Sequence, residues 1–308
     1  MKKLIFYVCL TAVLSGFASC TFEDQEDRYE YSTVYFPYQD YNRNVIVGEG
    51  LKLRVGVTLT GFMENKQDRI VHLEVDPSLL DDVSGKTLLP SDYYQLGSTQ
   101  IVIPKGHFGG YLPVKIDSVK FLADPKAVTG EYVLPIRIDD TKLPDGVDIV
   151  PKAKSFIRIS LSYLAKQFGN YHYSGVVDKY MGVVLYKSIM YAHNPKNGSS
   201  YRYLKTVGPT KFRMVADPTN ANDPMREVSF LIEIPFNGTE VTILPDPDSP
   251  FEVSANGSCT YDPATRIFHF DYKWTDDEGA VCYAVEDLKY RNRIYDDQGN
   301  GISINEWR

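Results

Sequence analysis

The chain has 308 residues, 43% of them hydrophobic and 24% charged, which excludes a disordered chain, a fibrous repeat and a polytopic membrane protein. Eighteen Pro and 22 Gly, with 23 Tyr and 15 Phe but only 2 Trp, is the mixture of many short strands joined by turns and a poor one for a helical bundle. A net charge of −7 speaks against a nucleic-acid partner, because phosphate contacts need a surplus of Lys and Arg.

Lys2-Lys3 open the chain, and an apolar run from Leu4 to Ala18 follows, broken only by Thr11, Ser15 and Gly16, before Ser19-Cys20. A basic start, an apolar middle and small residues before a Cys predict a bacterial lipoprotein signal peptide over residues 1–19, with Cys20 as the lipidated residue. Phe17 stands where the commonest form of that cleavage motif has Leu. The apolar run is shorter than the roughly 20 residues a helix needs to cross a bilayer, so the chain is expected to be held at the outer membrane by its lipid anchor and not to span it. Cleavage removes two lysines with residues 1–19 and takes 308 residues to 289 and the charge from −7 to −9. Residues 20–30 form an acidic tether in which Glu23, Asp24, Glu26 and Asp27 cluster. That tract resembles the export tag of Bacteroidetes surface lipoproteins and implies exposure at the cell surface.

From 31 to 163 apolar and polar residues alternate in one short segment after another. Leu51, Leu53, Val55, Val57 and Leu59 against Lys52, Arg54, Gly56, Thr58 and Thr60 read as a strand with one buried and one wet face. Val71-Leu73-Val75, Leu112-Val114-Ile116, Leu134-Ile136-Ile138 and Ile157-Ile159-Leu161 repeat the pattern, with turn signals such as Asp76-Pro77, Lys105-Gly106 and Pro144-Asp145-Gly146 between them. With segments near 33–37 and 100–103 this makes about seven antiparallel strands, the count of an immunoglobulin-like β-sandwich.

Near Tyr163 the texture changes, and the stretch 164–169 reads as a brief turn or linker. Over 166–308 aromatic-rich strands are expected near 170–177, 182–191, 200–206, 210–215, 226–234, 240–244, 251–260, 266–274, 280–287 and 289–295. Consecutive hairpins of this kind predict an antiparallel, lipocalin-like β-barrel or a second sandwich, so the fold class is all-β throughout. Cys259 and Cys282 flank the strand near 267–274, and a simple meander holds them about 9–10 Å apart, beyond the reach of a disulfide. Two buried thiols are expected.

The order of parts, the run Gly169-Asn170-Tyr171-His172-Tyr173-Ser174-Gly175, the segment Tyr261-Asp262-Pro263-Ala264-Thr265-Arg266 with its following aromatic strand, and Tyr290-Arg291-Asn292-Arg293 together resemble a two-domain family of Bacteroidetes outer-surface lipoproteins encoded beside polysaccharide import systems. The resemblance covers nearly the whole mature chain. It implies glycan capture or handling at the cell surface, with polysaccharide or oligosaccharide and the outer-membrane import proteins as partners. It carries no catalytic or binding residues over.

A catalytic reading finds little to hold. The sequence has no Gly-x-Ser-x-Gly elbow, His-Glu-x-x-His helix or Walker loop, and its five His fall singly, so neither enzyme activity, a metal site nor a cofactor is expected. Forty acidic residues leave room for a glycosidase-like pair, but most fall in turn clusters such as Asp139-Asp140 and Asp276-Asp277-Glu278. Asp296, Gln298, Asn300 and Gly301 start a calcium-loop pattern that ends on Trp307 where Glu belongs, so a hairpin turn is the better reading. Phe268, Phe270, Tyr272 and Trp274 share one face of a single strand, which fits a barrel interior. Trp274 at the end of that stripe and Trp307 near the C-terminus are the candidate ligand-binding residues, as a platform for a sugar ring. The expected function is a non-catalytic surface lipoprotein that binds glycans. The rival is a structural or accessory protein, adhesin-like or docked on a transporter. A lipocalin-like carrier of an apolar ligand is a third reading and requires a real cavity inside the barrel.

Overall fold

The computed structural model describes residues 31–191, 201–216 and 228–292 and is all-β, with one small helix. Among the described residues no helix is long and apolar enough to cross a membrane.

The first body is built from β1 (Thr33–Tyr35), β2 (Asp40–Ile46), β3 (Lys52–Thr60), β4 (Arg69–Val75), β5 (Thr87–Leu88), β6 (Tyr94–Leu96), β7 (Gln100–Ile103), β8 (Gly109–Ile116), the helix α1 (Ser118–Ala123), β9 (Tyr132–Ile138) and β10 (Phe156–Leu164). One sheet runs β1-β3-β8-β6 and the other β2-β10-β9-β4-β7, with β5 added beside β9. Leu53, Val55, Val57 and Leu59 are at most 2% exposed, as their alternation requires, and share one core with Leu134, Ile136, Ile159 and Leu161. Each such side chain contributes roughly 1.5–3 kcal/mol of burial.

Two features depart from the expected seven antiparallel strands. There are ten, and β2–β10 and β5–β9 are parallel pairs. The sequence of β2, Asp-Tyr-Asn-Arg-Asn-Val-Ile, has no apolar alternation, and only its last two residues are buried. Tertiary contacts make it a strand. It runs in register with β10 from Arg158 opposite Asp40 to Leu164 opposite Ile46, and the Arg158 guanidinium donates from Nε and Nη2 to the two Asp40 carboxylate oxygens at 2.7 and 2.8 Å. The helix α1 is too short to show a period in sequence. Asp117 caps it by accepting from the N–H groups of Val119 and Lys120, and Phe121 anchors it in the core against Tyr93 and Tyr163.

Tyr163 packs in this first core and Ala165 in the second. The second body comprises β11 (Gly169–Met181), β12 (Val184–Tyr191), β13 (Tyr201–Thr206), β14 (Lys211–Ala216), β15 (Phe230–Glu233), β16 (Thr242–Leu244), β17 (Ser254–Ala255), β18 (Thr260–Asp262), β19 (Ile267–Thr275) and β20 (Val281–Asn292). Every pairing is antiparallel, in the order β16-β15-β14-β13-β11-β20-β19, with β17 and β18 both on the far edge of β19. The sheet then returns on itself. Val241 donates to the carbonyl of Cys259 at 3.0 Å and Tyr261 to that of Thr239 at 2.7 Å, so the segment before β16 meets β18. The result is a nearly closed barrel. β20 is one continuous strand where two were expected, and β12 pairs with β11 over Gly175–Met181, beyond the stretch Gly169–His172 that pairs with β13.

Candidate functional site

Strand register stacks the barrel interior in layers. Tyr173, Leu288 and Phe268 lie level with one another, then Gly175, Glu286 and Phe270, then Val177, Ala284 and Tyr272, and finally Lys179, Cys282 and Trp274. The lower layers are filled by side chains: Tyr173, Phe268, Phe270, Tyr272, Phe212 and Phe230 are at most 1% exposed. Phe230 meets Tyr272 and Phe270 at centroid distances of 4.7 and 5.8 Å. Among the described residues these rings fill the barrel interior from the level of Tyr173 to that of Tyr272. A fully buried ion pair, Arg202–Glu286, sits among them.

The uppermost layer borders a cavity of about 380 Å³ at the barrel mouth. Its floor is Trp274, stacked on Tyr272 at 5.7 Å, together with Val177, Val228 and Cys282. Tyr186, Lys187, Ile189 and Tyr191 of β12 wall one side, Phe251 another, and the β19–β20 turn with Asp276, Asp277 and Glu278 forms the rim. The turn is self-organised. Asp276 Oδ1 accepts from the N–H groups of Glu278 and Ala280 at 3.1 and 2.9 Å, and Gly279 supplies the positive φ of 79° that closes it.

Lys179 ties β11 to that rim. Its Nζ lies 2.6 Å from both Asp276 Oδ2 and Glu278 Oε2, and these two hydrogen bonds hold the ammonium well above its ordinary range. Burial pushes the Asp276 carboxyl upward, but the Lys179 ammonium and the Ala280 N–H outweigh it and leave the pKa lowered. Below the pair, burial first and the Asp276 charge second push the Cys282 thiol up to about 11, so it stays protonated at neutral pH.

Of the residues singled out from sequence, Trp274 lies at this mouth, and the structure corrects the open platform expected of it. The indole is 6% exposed, on the inward phase of a strand, and serves as a cavity floor. Trp307, the other candidate, and Cys20, the expected lipidation site, lie outside the described residues, as does the calcium-like pattern from Asp296. Cys259 and Cys282 are free and buried. Among the described residues, no group of three or more His, Cys, Asp or Glu could hold a metal ion.

Sequence reading passes over Lys179 and over the place of Asp276 at the cavity rim. Lys179 falls in the gap between two expected strands, and Asp276 reads as part of a turn cluster. A signal was present: Asp276 continues the inward phase of Phe268, Phe270, Tyr272 and Trp274.

Comparison with known proteins gives the fold. A family model described as a "-like, N-terminal domain" matches residues 29–145. None of the curated proteins matches the chain. Among solved structures, a structural-genomics protein of unknown function from Bacteroides ovatus is similar at a TM-score of 0.68 and 19% identity, over 86% of this chain and 96% of that one. A second such protein from the same organism matches at 0.48 and 18%, over 87% and 98% of the two chains. An auxiliary nutrient binding protein from Bacteroides thetaiotaomicron matches at 0.43 and 15%, over 82% and 90%. The first of these carries the likeness: the succession of two β-bodies found here is a fold shared, nearly end to end, with a Bacteroides protein.

Proposed function

We propose that this chain is a non-catalytic glycan-binding lipoprotein, tethered through Cys20 at the outer surface of the outer membrane, that takes its ligand at the mouth of the second barrel. The observation that carries the reading is the meeting of a buried indole floor and aromatic walls with a rim of carboxylates in one cavity. Rings offer flat apolar area to the C–H face of a sugar, and carboxylates accept from its hydroxyls. A cavity of about 380 Å³ is near the lower end of the roughly 300–1,000 Å³ of small-ligand sites, which suits one or two sugar rings. Asp276 is committed to Lys179 and two backbone N–H groups, a role that fixes the turn and leaves it poorly placed to exchange protons with a substrate.

Calorimetric titration of the full chain in detergent with host, plant and microbial oligosaccharides tests this. Saturable binding that Tyr186→Ala weakens is expected, and absence of binding to every class sinks the reading.

One observation favours the rival, an accessory protein docked on import machinery. The β11–β12 hairpin exposes Val183 at 96%, Met190 at 82% and Tyr186 at 67%, an apolar surface of the kind that marks protein contacts. A stoichiometric protein partner recovered from membranes, lost on Val183→Asp and indifferent to sugar, would favour it.

A further inference from the structure

We infer that the barrel mouth is a blind well that takes the end of a glycan chain and excludes its internal stretches, an inference that rests on the glycan-binding reading above. A cleft that accepts the middle of a chain needs two exits, one for each neighbouring sugar. The described residues give this cavity one. Beneath its floor the barrel is filled: Trp274 and Val228 are 6% and 2% exposed, and Tyr272 and Phe230 below them are not exposed at all. A ligand that enters therefore cannot continue through the barrel.

The flanks are closed by elements tied to one another. On one side Lys179 of β11 holds the β19–β20 turn through its two 2.6 Å contacts with Asp276 and Glu278. On another, Phe251 belongs to a segment fastened beside Val228. The Ser229 hydroxyl donates to Asp246 Oδ2 at 2.8 Å, Arg213 Nη2 donates to Asp246 Oδ1 at 2.9 Å, and the Ser249 N–H donates to the Asp246 carbonyl at 3.0 Å. The third flank is β12, whose Tyr186, Ile189 and Tyr191 line the cavity from a strand paired with β11 over Gly175–Met181. These elements stand around the barrel's circumference, so the space between them opens upward.

A sugar resting on Trp274 in such a well has room for a linkage on one side only. About 380 Å³ holds one or two rings, and the rest of a longer chain must leave through the opening into water. An internal unit carries a second neighbour, which would run into a wall or the floor. Discrimination by a built-in clash needs no extra attraction to the preferred ligand.

The experiment titrates the full chain in detergent, by calorimetry, with xylan, mannan, pectic galactan, inulin, laminarin and amylose, each intact and after partial acid hydrolysis to short fragments. Hydrolysis multiplies chain ends while leaving the mass of repeating unit unchanged. Fragments of the polymer that binds are expected to do so at least about tenfold more tightly by mass of sugar than the intact polymer. Among purified fragments, affinity per molecule should rise to about two or three units and then stay level, because further units lie outside the well. Equal or tighter binding of an intact polymer by mass overturns the inference and leaves glycan binding intact, as does affinity that keeps rising with fragment length. Binding of neither intact nor hydrolysed material overturns both.

Discussion

Arg202 and Glu286 face each other inside the second barrel with Nη2 3.2 Å from Oε1, and neither side chain is exposed at all. The Tyr272 hydroxyl donates to the other Glu286 oxygen at 3.0 Å, and the Arg202 guanidinium lies over the Tyr173 ring at 3.9 Å. A buried pair of this kind need not be stabilising overall, but removing one partner takes from the other its buried counter-charge. Glu286→Leu should therefore cost about 3–5 kcal/mol, and the double variant Arg202→Met, Glu286→Leu should recover most of it. Urea midpoints at neutral pH read both. Single variants within about 1 kcal/mol of the parent would show that the pair is not held as described.

Gly175 stands opposite Glu286 in the β11–β20 register, and the missing side chain lets the two strands approach closely. A Cβ added there would lie 2.2 Å from the Val285 carbonyl oxygen and 3.1 Å from Glu286 Cγ. Backbone must move to admit it, so Gly175→Ala should destabilise by about 1–3 kcal/mol. Gly109→Ala is the control, since its Cβ would meet only the Val57 carbonyl oxygen at an ordinary 3.4 Å. Equal effects of the two substitutions in thermal unfolding would contradict the close approach at Gly175.

The Gly175–Glu286 pairing also marks how far the sequence could be read. The stripe from Phe268 to Trp274 announced its buried face through period two, and β3 did the same, because the side-chain period of a strand is visible wherever one face is dry and the other wet. Strand β2 hid because its pairing with β10 is made by polar residues such as Arg158 and Asp40, whose match is a matter of three-dimensional register. The mouth hid for a related reason. Lys179, Asp276 and Glu278 are ordinary surface residue types, and Lys179 is separated by about a hundred positions from the two acids with which closure of the barrel brings it into contact.

Acid and alkali should each destabilise the fold through identifiable groups. Asp124 accepts hydrogen bonds from the hydroxyls of Tyr132 and Tyr93, and the Tyr132 bond, chief among several, lowers its pKa from the ordinary 3.8. Asp276 is lowered as well, despite its burial, by Lys179. A carboxylate whose folded pKa is depressed contributes stability that is complete above its unfolded value and is lost as pH falls through the folded one. The loss should begin near pH 4 and continue downward. Tyr132 runs the other way: its hydrogen bond to Asp124 and then burial push it up to about 12 from 10.0, so its contribution is present below 10 and disappears as pH climbs toward 12. Urea midpoints followed across pH should show both limbs. Asp124→Asn should flatten the acid limb and Tyr132→Phe the alkaline one; unchanged slopes would assign the dependence to other groups.

Trp274 links stability and ligand in one side chain, and the two can be separated by the choice of substitution. It is 6% exposed and stacks on Tyr272 with an interplanar angle of 27°, so Trp274→Ala should cost about 3–5 kcal/mol through the space it leaves. Trp274→Phe keeps most of the apolar volume and should cost less, while shrinking the floor on which a sugar would rest. The chain has 2 Trp, so Trp307→Phe makes Trp274 the only indole reporter. In that background its emission should be blue-shifted and poorly quenched by iodide, as a buried indole requires. A neutral disaccharide that enters the mouth should then change the emission saturably, and Trp274→Phe should weaken calorimetric binding more than it lowers the urea midpoint. Emission typical of an indole in water would show that Trp274 is not the cavity floor and would leave the mouth with only the rings of its walls, Tyr186, Tyr191 and Phe251.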